Sequence, residues 1–393
     1  MDLRELKVKD QRVFVRVDFN VPLDGGAVAD DARIEAALPT LRLLLERGAR
    51  VICASHLGRP KGEPSDEFRL APVAKRLEEL LGSPVRYLTD CIGPDVEAAA
   101  AALEPGQVLL LENLRFHPGE KKNDPEFVAA LARLCDLYVN DAFGTCHRAH
   151  ASVVGIPESL GPDKVAAGFL VSKEIESFGK VLRDPERPFV AVLGGAKVAD
   201  KIPVLTNLVE KVNAIVIGGG MAYTFLKAQG IGIGASRVEE DLLDTASEIL
   251  AKAREVGVEV MLPSDHLAAT EFDPGAEPVA VNKPEIDEGL MGLDIGDETR
   301  RRYAARVESA GTVVWNGPMG VFEWPAFSAG TREVAAAMAR CPGTTVVGGG
   351  DSASAMKLFG LRDEVTHVST GGGASLELLE GKTLPGLAAL GWS

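Results

Sequence analysis

Arginine and histidine side chains follow the apolar segments in the first half of the chain, at positions where they could bind a small polyanion. Asp18-Phe19-Asn20 comes directly after the segment Arg12–Val17. The basic residues, each shortly after an apolar segment or its loop, are Arg33, His56, Arg59, Arg115 and Arg148. The planar fork of arginine pairs well with phosphate and carboxylate groups. Since ligands bind beyond the carboxyl ends of parallel strands, we expect these side chains to line one anion pocket.

The apolar segments of the second half end in glycine-rich turns and lysine instead. Gly194-Gly195-Ala196-Lys197 is followed by Lys201, which shares a helical face with Lys197. Further glycine turns lie at 218–220, 316–320, 348–350 and 371–373. Glycine at a strand–helix turn lets backbone N–H groups approach a phosphate and aims a helix N-terminus at it. Asp351 follows one of these turns and could hold hydrated Mg²⁺ beside phosphates, so this half predicts a nucleotide site.

Parallel sheets are needed to bring both sets of residues together. Short β-branched segments alternate with segments of helical spacing, a pattern typical of βαβ units. The predicted strands are Arg12–Val17, Arg50–Ala54, Val108–Glu112, Leu137–Asn140, Phe189–Leu193, Ala214–Ile217, Val258–Leu262, Thr312–Trp315, Thr344–Val347 and His367–Ser369. The clearest predicted helices are Ile34–Arg47, Pro72–Leu81, Glu126–Leu134 and Glu240–Glu255. These strands are too many for one ordinary sheet, so the pattern predicts an α/β protein with two doubly wound, Rossmann-like domains.

A long helix is predicted to join the two domains. Apolar residues recur at helical spacing over Lys164–Leu182, and Asp184–Pro188 then breaks the pattern. The segment is therefore interpreted as a connecting helix that leads to the first strand of the second domain.

Composition narrows the classes of function. The chain has 393 residues, of which 46% are hydrophobic and 25% charged, and its net charge is −15. An acidic chain disfavours nucleic acid and anionic membranes as partners and leaves small molecules. We expect no secretory signal, no apolar run is long enough to span a bilayer, and the 5 cysteines lack a C-x-x-C pair. These features predict a soluble cytoplasmic protein with reduced thiols.

Two other functions remain open on these patterns. The P-loop motif is absent, but Gly348–Ala353 fits the loose G-x-G-x-x-A dinucleotide pattern. That pattern expects an acidic residue at the end of the next strand, and His367–Gly371 contains none. A NAD-dependent dehydrogenase is therefore the first alternative. A two-domain binding protein for an anionic metabolite is the second, although it leaves the glycine and lysine turns unexplained.

Longer motifs resemble one enzyme family. The segments that carry the resemblance are Arg16–Pro22, Ser55–Pro60, Leu193–Val198, Trp315–Glu323 and Ser369–Leu376. Together they look like phosphoglycerate kinase, and the match extends in the expected order from roughly residue 3 to 390. Ala32 stands where many members have Thr, and Trp324 stands where Met is frequent in bacterial members.

The resemblance implies reversible formation of ATP and 3-phosphoglycerate from 1,3-bisphosphoglycerate and ADP, with Mg²⁺. The substrate-binding residues that it implies are Asp18, Phe19, Asn20, Arg33, His56, Leu57, Gly58, Arg59, Arg115 and Arg148. The nucleotide-binding residues that it implies are Lys197, Lys201, Gly292, Asn316, Glu323, Gly349, Gly350, Asp351 and Ser352, with Asp351 on the metal. The catalytic residues are expected to be Arg33, Lys197, Lys201, Gly371, Gly372 and Gly373.

The sequence pattern, the resemblance and the chemistry of the implied reaction together predict a domain plan and a mechanism. Residues 1–170 would bind phosphoglycerate and residues 171–375 the nucleotide, with residues 376–393 packing back onto the first domain. A monomer would close about the connecting helix and the C-terminal segment when both substrates are bound. Electrostatic stabilisation without a general base would then carry the transfer.

Overall fold

The chain forms two units in the computed structural model, which describes residues 2–392. The first unit runs up to Ile175 and is completed by the residues from Thr383 onward, and the second unit is Glu176–Lys382. Each unit contains its own six-stranded parallel sheet. The predicted α/β class with two Rossmann-like sheets is therefore confirmed.

The first unit is a sheet with helices on both faces. Its strands are β1 Arg12–Val17, β2 Leu23–Asp24, β3 Ala27–Val28, β4 Arg50–Ala54, β5 Val85–Tyr87, β6 Val108–Leu110, β7 Leu137–Asp141 and β8 Val165–Ala167. Its helices are α1 Ala32–Glu46, α2 Ala71–Leu81, α3 Pro94–Ala101, α4 Pro118–Lys122, α5 Pro125–Ala132, α6 Ile156–Leu160 and the first part of α7 Phe169–Arg183. Single 3₁₀ turns lie at Asp66–Phe68, Leu114–Phe116, Phe143–Thr145 and Pro162–Lys164, and a π-helical turn lies at Ala151–Gly155.

The strand order explains where the first unit can bind a ligand. The parallel order is β5-β6-β4-β1-β7-β8, so the chain first adds strands on one side of β1 and later on the other. Val13 and Val15 pack into the core on one face, whereas Phe14 packs into the core on the opposite face. The carboxyl end of β1 is therefore the point where the strand order reverses, which is where open α/β sheets bind ligands.

The second unit repeats the plan and adds a small antiparallel sheet. Its strands are β9 Phe189–Leu193, β10 Ala214–Ile217, β11 Glu259–Met261, β12 His266–Ala269, β13 Val279–Val281, β14 Met291–Ile295, β15 Thr312–Asn316, β16 Thr344–Gly348 and β17 His367–Val368. Its helices are α8 Ile202–Leu208, α9 Met221–Ala228, α10 Leu243–Glu255, α11 Asp297–Glu308, α12 Ala329–Arg340, α13 Gly350–Leu358 and α14 Gly373–Leu379. Single 3₁₀ turns lie at Glu240–Leu242, Pro325–Phe327 and Arg362–Glu364.

The parallel sheet of the second unit has the order β11-β10-β9-β15-β16-β17, and the order reverses at β9. The antiparallel sheet has the order β13-β12-β14. Every residue of β9 and β15 is buried, as expected for central strands covered on both faces. The ends of β9, β10, β15 and β16 carry the glycine turns singled out in the sequence.

Two predictions about the connecting segments were wrong in detail. The predicted helix from Lys164 begins only at Phe169, because Val165–Ala167 pairs with β7 as the edge strand β8. Residues 376–382 stay with the second unit, because Asn207 Nδ2 on α8 donates to the carbonyl of Leu379 on α14 at 2.7 Å. Only the last segment, with α15 Pro385–Ala388, belongs to the first unit. Which substrate each unit binds stays a prediction.

Candidate active site

The loop after β1 and the start of α1 form the first part of the candidate substrate site. Arg33 Nη1 donates to both carboxylate oxygens of Asp18, at 3.2 and 3.1 Å, and to the carbonyl of Asn20 at 3.0 Å. The Arg33 side chain is still 44% exposed, so its guanidinium can also meet an anion from solvent.

The loops after β4 and β6 are tied to the same place. The N–H of Gly58 donates to Asn20 Oδ1 at 2.8 Å, and Arg115 Nη1 donates to the Gly58 carbonyl at 2.8 Å. Gly58 has φ +62, and a Cβ there would collide with the ring of Phe68, so only glycine fits this junction. Asp18, Asn20, Arg33, Gly58 and Arg115 are therefore held by a shared set of contacts, and we name them together with His56, Arg59 and Arg148 the anion cluster.

Positive charge dominates the anion cluster. Burial, followed by the charge of Arg16, lowers the pKa of Arg115 to about 10, and Arg148 also contributes. Arg59 and Arg148 are exposed, and neither side chain makes a hydrogen bond or ion pair to any residue from 2 to 392. An anion bound here would pair with guanidinium groups that lack a partner, and it would relieve the repulsion between them.

His56 is a buried member of this cluster and is only 5% exposed. Burial, followed by the charges of Arg16, Arg115, Arg33 and His150, lowers its pKa well below the usual value. The imidazole is therefore neutral near pH 7.

Phe19 and Leu57 are core residues, so they can meet a ligand only through their backbone. The N–H of Phe19 donates to Ser55 Oγ at 2.9 Å, and the Leu57 carbonyl accepts from Asn113 Nδ2 at 2.8 Å. Both side chains are buried.

A cavity of about 390 Å³ lies at the glycine turns of the second unit. We name it the glycine cavity. Its lining includes Lys197, Lys201, Asn316, Gly349, Gly350, Asp351, Ser352, Gly372 and Gly373. The first turns of α13 and α14 both border it, and the caps of these helices are Gly349 and Gly372, each with positive φ. Gly371 itself is buried just outside, where its N–H donates to Ser369 Oγ at 3.1 Å.

Lys201 and Asn316 form the polar centre of the glycine cavity. Lys201 Nζ donates to Asn316 Oδ1, and burial lowers the pKa of Lys201 against the opposing charges of Asp200 and Asp351. Asn316 is 2% exposed, and its Nδ2 has no hydrogen-bond partner among the described residues. A buried amide donor without a partner costs free energy, which a phosphate oxygen in the cavity would recover.

A second cavity, of about 480 Å³, shares Gly195, Ala196 and Asp351 with the first. We name it the aromatic cavity, because Tyr223 and Phe272 line it together with Gly292 and Glu323. Phe272 packs against Trp324 with ring centroids 4.5 Å apart. A Cβ on Gly292 would collide with the Tyr223 hydroxyl, so glycine keeps this wall open.

Asp351 fits the role of a Mg²⁺ ligand. Its carboxylate is exposed in the first turn of α13 and borders both cavities. Mg²⁺ is usually held by one or two carboxylates together with substrate phosphates and water. The carboxylate of Asp351 beside a glycine-lined phosphate pocket is consistent with that pattern, and Asp200 is a second carboxylate in the lining of the same cavity.

Sequence reasoning missed a buried polar network under the anion cluster. Arg16 Nε donates to Ser152 Oγ at 2.8 Å, and Ser152 Oγ donates to Glu120 Oε1 at 2.6 Å. Arg16 and Glu120 are almost completely buried. The signal in the sequence was an arginine in the middle of a β-branched strand, where a charge is retained only if it is paired.

A separate group in the first unit combines metal-ligand atom types. Asp90, Cys91 and His117 place these atoms within 4.8 Å of one another. His117 Nε2 is already hydrogen-bonded to Asp90 at 2.7 Å, and burial raises the pKa of the Cys91 thiol well above its usual value. The Asp90–His117 contact joins the loop after β5 to the start of α4. A structural role therefore explains these two residues without a metal.

Comparison with known proteins identifies the family. The sequence model for phosphoglycerate kinase matches residues 3–382. The chain belongs to the phosphoglycerate kinase family. Phosphoglycerate kinases from Moorella thermoacetica and Gloeobacter violaceus are 58% and 57% identical over 99% and 98% of this chain, and the matches cover 98% and 96% of those proteins.

Solved structures agree with the sequence comparison. Phosphoglycerate kinase from Coxiella burnetii has a TM-score of 0.91 and 42% identity, and that from Pyrococcus horikoshii has 0.85 and 34%. Both comparisons cover 100% of this chain and 98% of the other. The predicted membership is confirmed, and the dehydrogenase and non-catalytic alternatives are set aside in favour of a phosphotransferase.

None of the helices within residues 2–392 is both long enough and apolar enough to cross a membrane.

Proposed function

We propose that this phosphoglycerate kinase transfers the acyl phosphate of 1,3-bisphosphoglycerate to ADP with Mg²⁺, and reversibly gives ATP and 3-phosphoglycerate. The observation that carries the proposal is the glycine cavity. Two helix N-termini, two lysines and the Asn316 Nδ2 group, which has no partner within residues 2–392, meet there. These are the groups that nucleotide phosphates require.

The anion cluster is the proposed site for phosphoglycerate. Arg33, Arg59, Arg115 and Arg148 would pair with its phosphate and carboxylate oxygens. Asp18 would accept the hydrogen of the glycerate hydroxyl, and Asn20 and the backbone at Phe19, Leu57 and Gly58 would shape the floor of the site.

The nucleotide would occupy both cavities of the second unit. Lys197, Lys201, Asn316 and the segment Gly349–Ser352 would bind its phosphates, and Gly292 and Glu323 would meet the base and ribose in the aromatic cavity. Mg²⁺ held by Asp351 would neutralise charge on the nucleotide phosphates.

The proposed chemistry needs no general base. In the reverse reaction the carboxylate of 3-phosphoglycerate, which is already ionised near pH 7, attacks the γ-phosphorus of ATP. The bond from that phosphorus to the bridging oxygen breaks, and ADP leaves with the electron pair. Charge spreads over the equatorial oxygens of the transferring group. The proposed donors that stabilise it are Arg33, Lys201 and, in the turn Gly371–Gly373, the N–H groups of Gly372 and Gly373. The N–H of Gly371 is already bound to Ser369, so Gly371 would only shape this turn.

We propose that the two units close when both substrates are bound. Reacting atoms must approach to about 3–3.5 Å, and water must be kept from the acyl phosphate. Helix α7 and the chain around Thr383 are the places where the chain passes between the units, which makes them the proposed hinges. We also propose that the enzyme is a monomer in the cytoplasm. Light scattering after size-exclusion chromatography would check the monomeric state.

A coupled assay of Mg²⁺-dependent transfer from ATP to 3-phosphoglycerate tests the proposed reaction. Wild-type protein is expected to turn over only with Mg²⁺ present. Lys201→Met is expected to lower kcat by roughly 10²-fold or more, because it removes a cation from the developing charge. Lys252→Met, at a surface lysine paired with Glu210, is the matched control and should retain full activity. No turnover by wild-type protein would refute the proposal.

A further inference from the structure

The contact between Arg16 and His56 determines which ring nitrogen of the histidine carries its proton. Arg16 Nη2 lies 3.1 Å from His56 Nδ1, and both side chains are buried. A guanidinium has only N–H donors and no acceptor. Nδ1 must therefore accept, and the proton of the neutral imidazole must be on Nε2.

The rest of the buried network holds Arg16 in this orientation. Its Nε is bound to Ser152 Oγ, and its Nη1 donates to the carbonyl of Val17. Ser152 is in turn held by Glu120, whose second carboxylate oxygen accepts the Ser152 N–H at 3.0 Å. The guanidinium therefore has fixed partners on several sides and is oriented rigidly toward the imidazole.

Neighbouring charges oppose a second proton on the ring. Arg16 on β1, Arg33 on α1, Arg115 after β6 and His150 before the π-helical turn all act on His56. Burial and the surrounding cations lower the pKa of His150 to about 4, so it adds no charge near pH 7. Burial of the ring, together with the charges of the three arginines, keeps His56 in its neutral form.

We infer that Arg16 is a positioning residue that fixes His56 as a hydrogen-bond donor through Nε2. No residue from 2 to 392 forms a hydrogen bond with that nitrogen. His56 therefore offers an anionic oxygen one N–H and cannot act as a base. The inference deepens the proposed function, since it takes that oxygen to belong to phosphoglycerate.

The tautomer can be measured in the free protein without any substrate. The chain has 6 histidines, so wild-type protein with ¹⁵N-labelled histidine and arginine gives a spectrum in which His56 is assigned by its loss in His56→Gln. Long-range ¹H–¹⁵N spectra are expected to show Nδ1 unprotonated and Nε2 protonated from pH 6 to 8. A proton on Nδ1, or a titration in this range, would overturn the inference.

The role of Arg16 needs its own measurement. A scalar coupling across the hydrogen bond is expected between Arg16 Nη2 and His56 Nδ1 in wild-type protein, and its absence would contradict the assignment. The double variant Arg16→Met/Glu120→Gln removes both buried charges together. Its His56 should populate both tautomers, whereas an unchanged Nε2–H form would show that Arg16 does not set it. The coupling uses wild-type protein, so it remains decisive if the double variant does not fold.

Calorimetric titration with 3-phosphoglycerate tests whether the Nε2–H group of His56 donates a hydrogen bond to this ligand. The amide nitrogen of Gln can replace Nε2, whereas that of Asn reaches only as far as Nδ1. His56→Asn is expected to weaken binding by roughly 10- to 100-fold, as the loss of a hydrogen bond to a charged group does, and His56→Gln by less than about 10-fold. Equal losses in both variants would refute the donor role. If wild-type protein neither binds 3-phosphoglycerate nor turns over, the proposed function fails while the tautomer measurement still stands.

Discussion

Two arginines of the anion cluster are held by residues of neighbouring loops. Arg33 is fixed by Asp18 and Asn20, and Arg115 is fixed by Gly58. The basic residues and their order along the strands could be predicted from sequence alone, because each follows an apolar segment or the loop after it. The network of Arg16, Ser152 and Glu120 could not, since its members are far apart in the chain and only the folded sheet brings them together.

Arg33 provides the sharpest test of charge stabilisation. Arg33→Ala is expected to lower kcat by on the order of 10²-fold, because the transferring phosphoryl group would lose a cation. Arg42→Ala on the same helix is the control, since this exposed arginine reaches only the Leu80 carbonyl at 3.0 Å. Steady-state kinetics that show equal kcat for both variants would remove Arg33 from the catalytic set.

Arg59 is expected to affect binding rather than chemistry. It is exposed and has no ion pair among residues 2–392, so its guanidinium is available to the substrate. Arg59→Ala should weaken 3-phosphoglycerate binding by roughly 10-fold or more, in the range for a charged hydrogen bond. Titration calorimetry that finds wild-type affinity would contradict this role.

At the level of elements, helix α7 is anchored by a buried carboxylate. Asp141 Oδ1, at the end of β7, accepts the N–H of Leu170 at 2.9 Å, in the first turn of α7. The N–H of Phe169 donates to Thr40 Oγ1 at 2.9 Å. These contacts explain why the helix begins at Phe169, a boundary that apolar spacing alone placed several residues too early.

Asp141 makes stability depend on pH. Burial raises the pKa of Asp141 to about 7, above its value of 3.8 as a free group. The folded state therefore binds the proton more tightly, and the stability from this group is full below about pH 4 and is lost as pH rises through 7. Asp141→Asn should flatten the decline of Tm between pH 5 and 8 relative to wild type.

The exposed Asp163 supplies the control for this measurement, because Asp163→Asn should leave the pH dependence unchanged. Parallel Tm curves for wild type and Asp141→Asn across this range would contradict the assignment.

The antiparallel sheet of β12, β13 and β14 is the largest feature among those that sequence patterns did not predict. Its strands are short, and Val279 and Ala280 are exposed, so apolar alternation is weak. Pro and Gly residues around 274–284 favour loops. The sheet nevertheless contributes Gly292 to the aromatic cavity.

At the scale of the whole molecule, the division into two units makes the proposed closure testable, because closure would move one unit toward the other. Each unit contains its own parallel sheet and its own candidate site. The alternation of strands and helices was enough to predict this plan. The return of the chain to the first unit was available only from the family resemblance, since periodicity does not show where a terminal helix packs.

Small-angle X-ray scattering should detect substrate-driven closure. The radius of gyration is expected to fall only when 3-phosphoglycerate and a Mg²⁺-bound nucleotide are present together, because each alone would engage one unit. Single-substrate samples are the controls. Identical curves for the free protein and the ternary sample would refute the proposal.

The C-terminal segment of the first unit, which begins at Thr383, affects how this unit folds during biosynthesis. The N–H of Gly386 donates to the Cys146 carbonyl at 2.8 Å, and a Cβ on Gly386 would crowd Val153. During translation, the surface around Cys146 therefore lacks its contact with Gly386 until the whole second unit has been synthesised. Nascent chains arrested before Thr383 should expose the surface around Cys146 to protease, although every strand of the first sheet has already been translated.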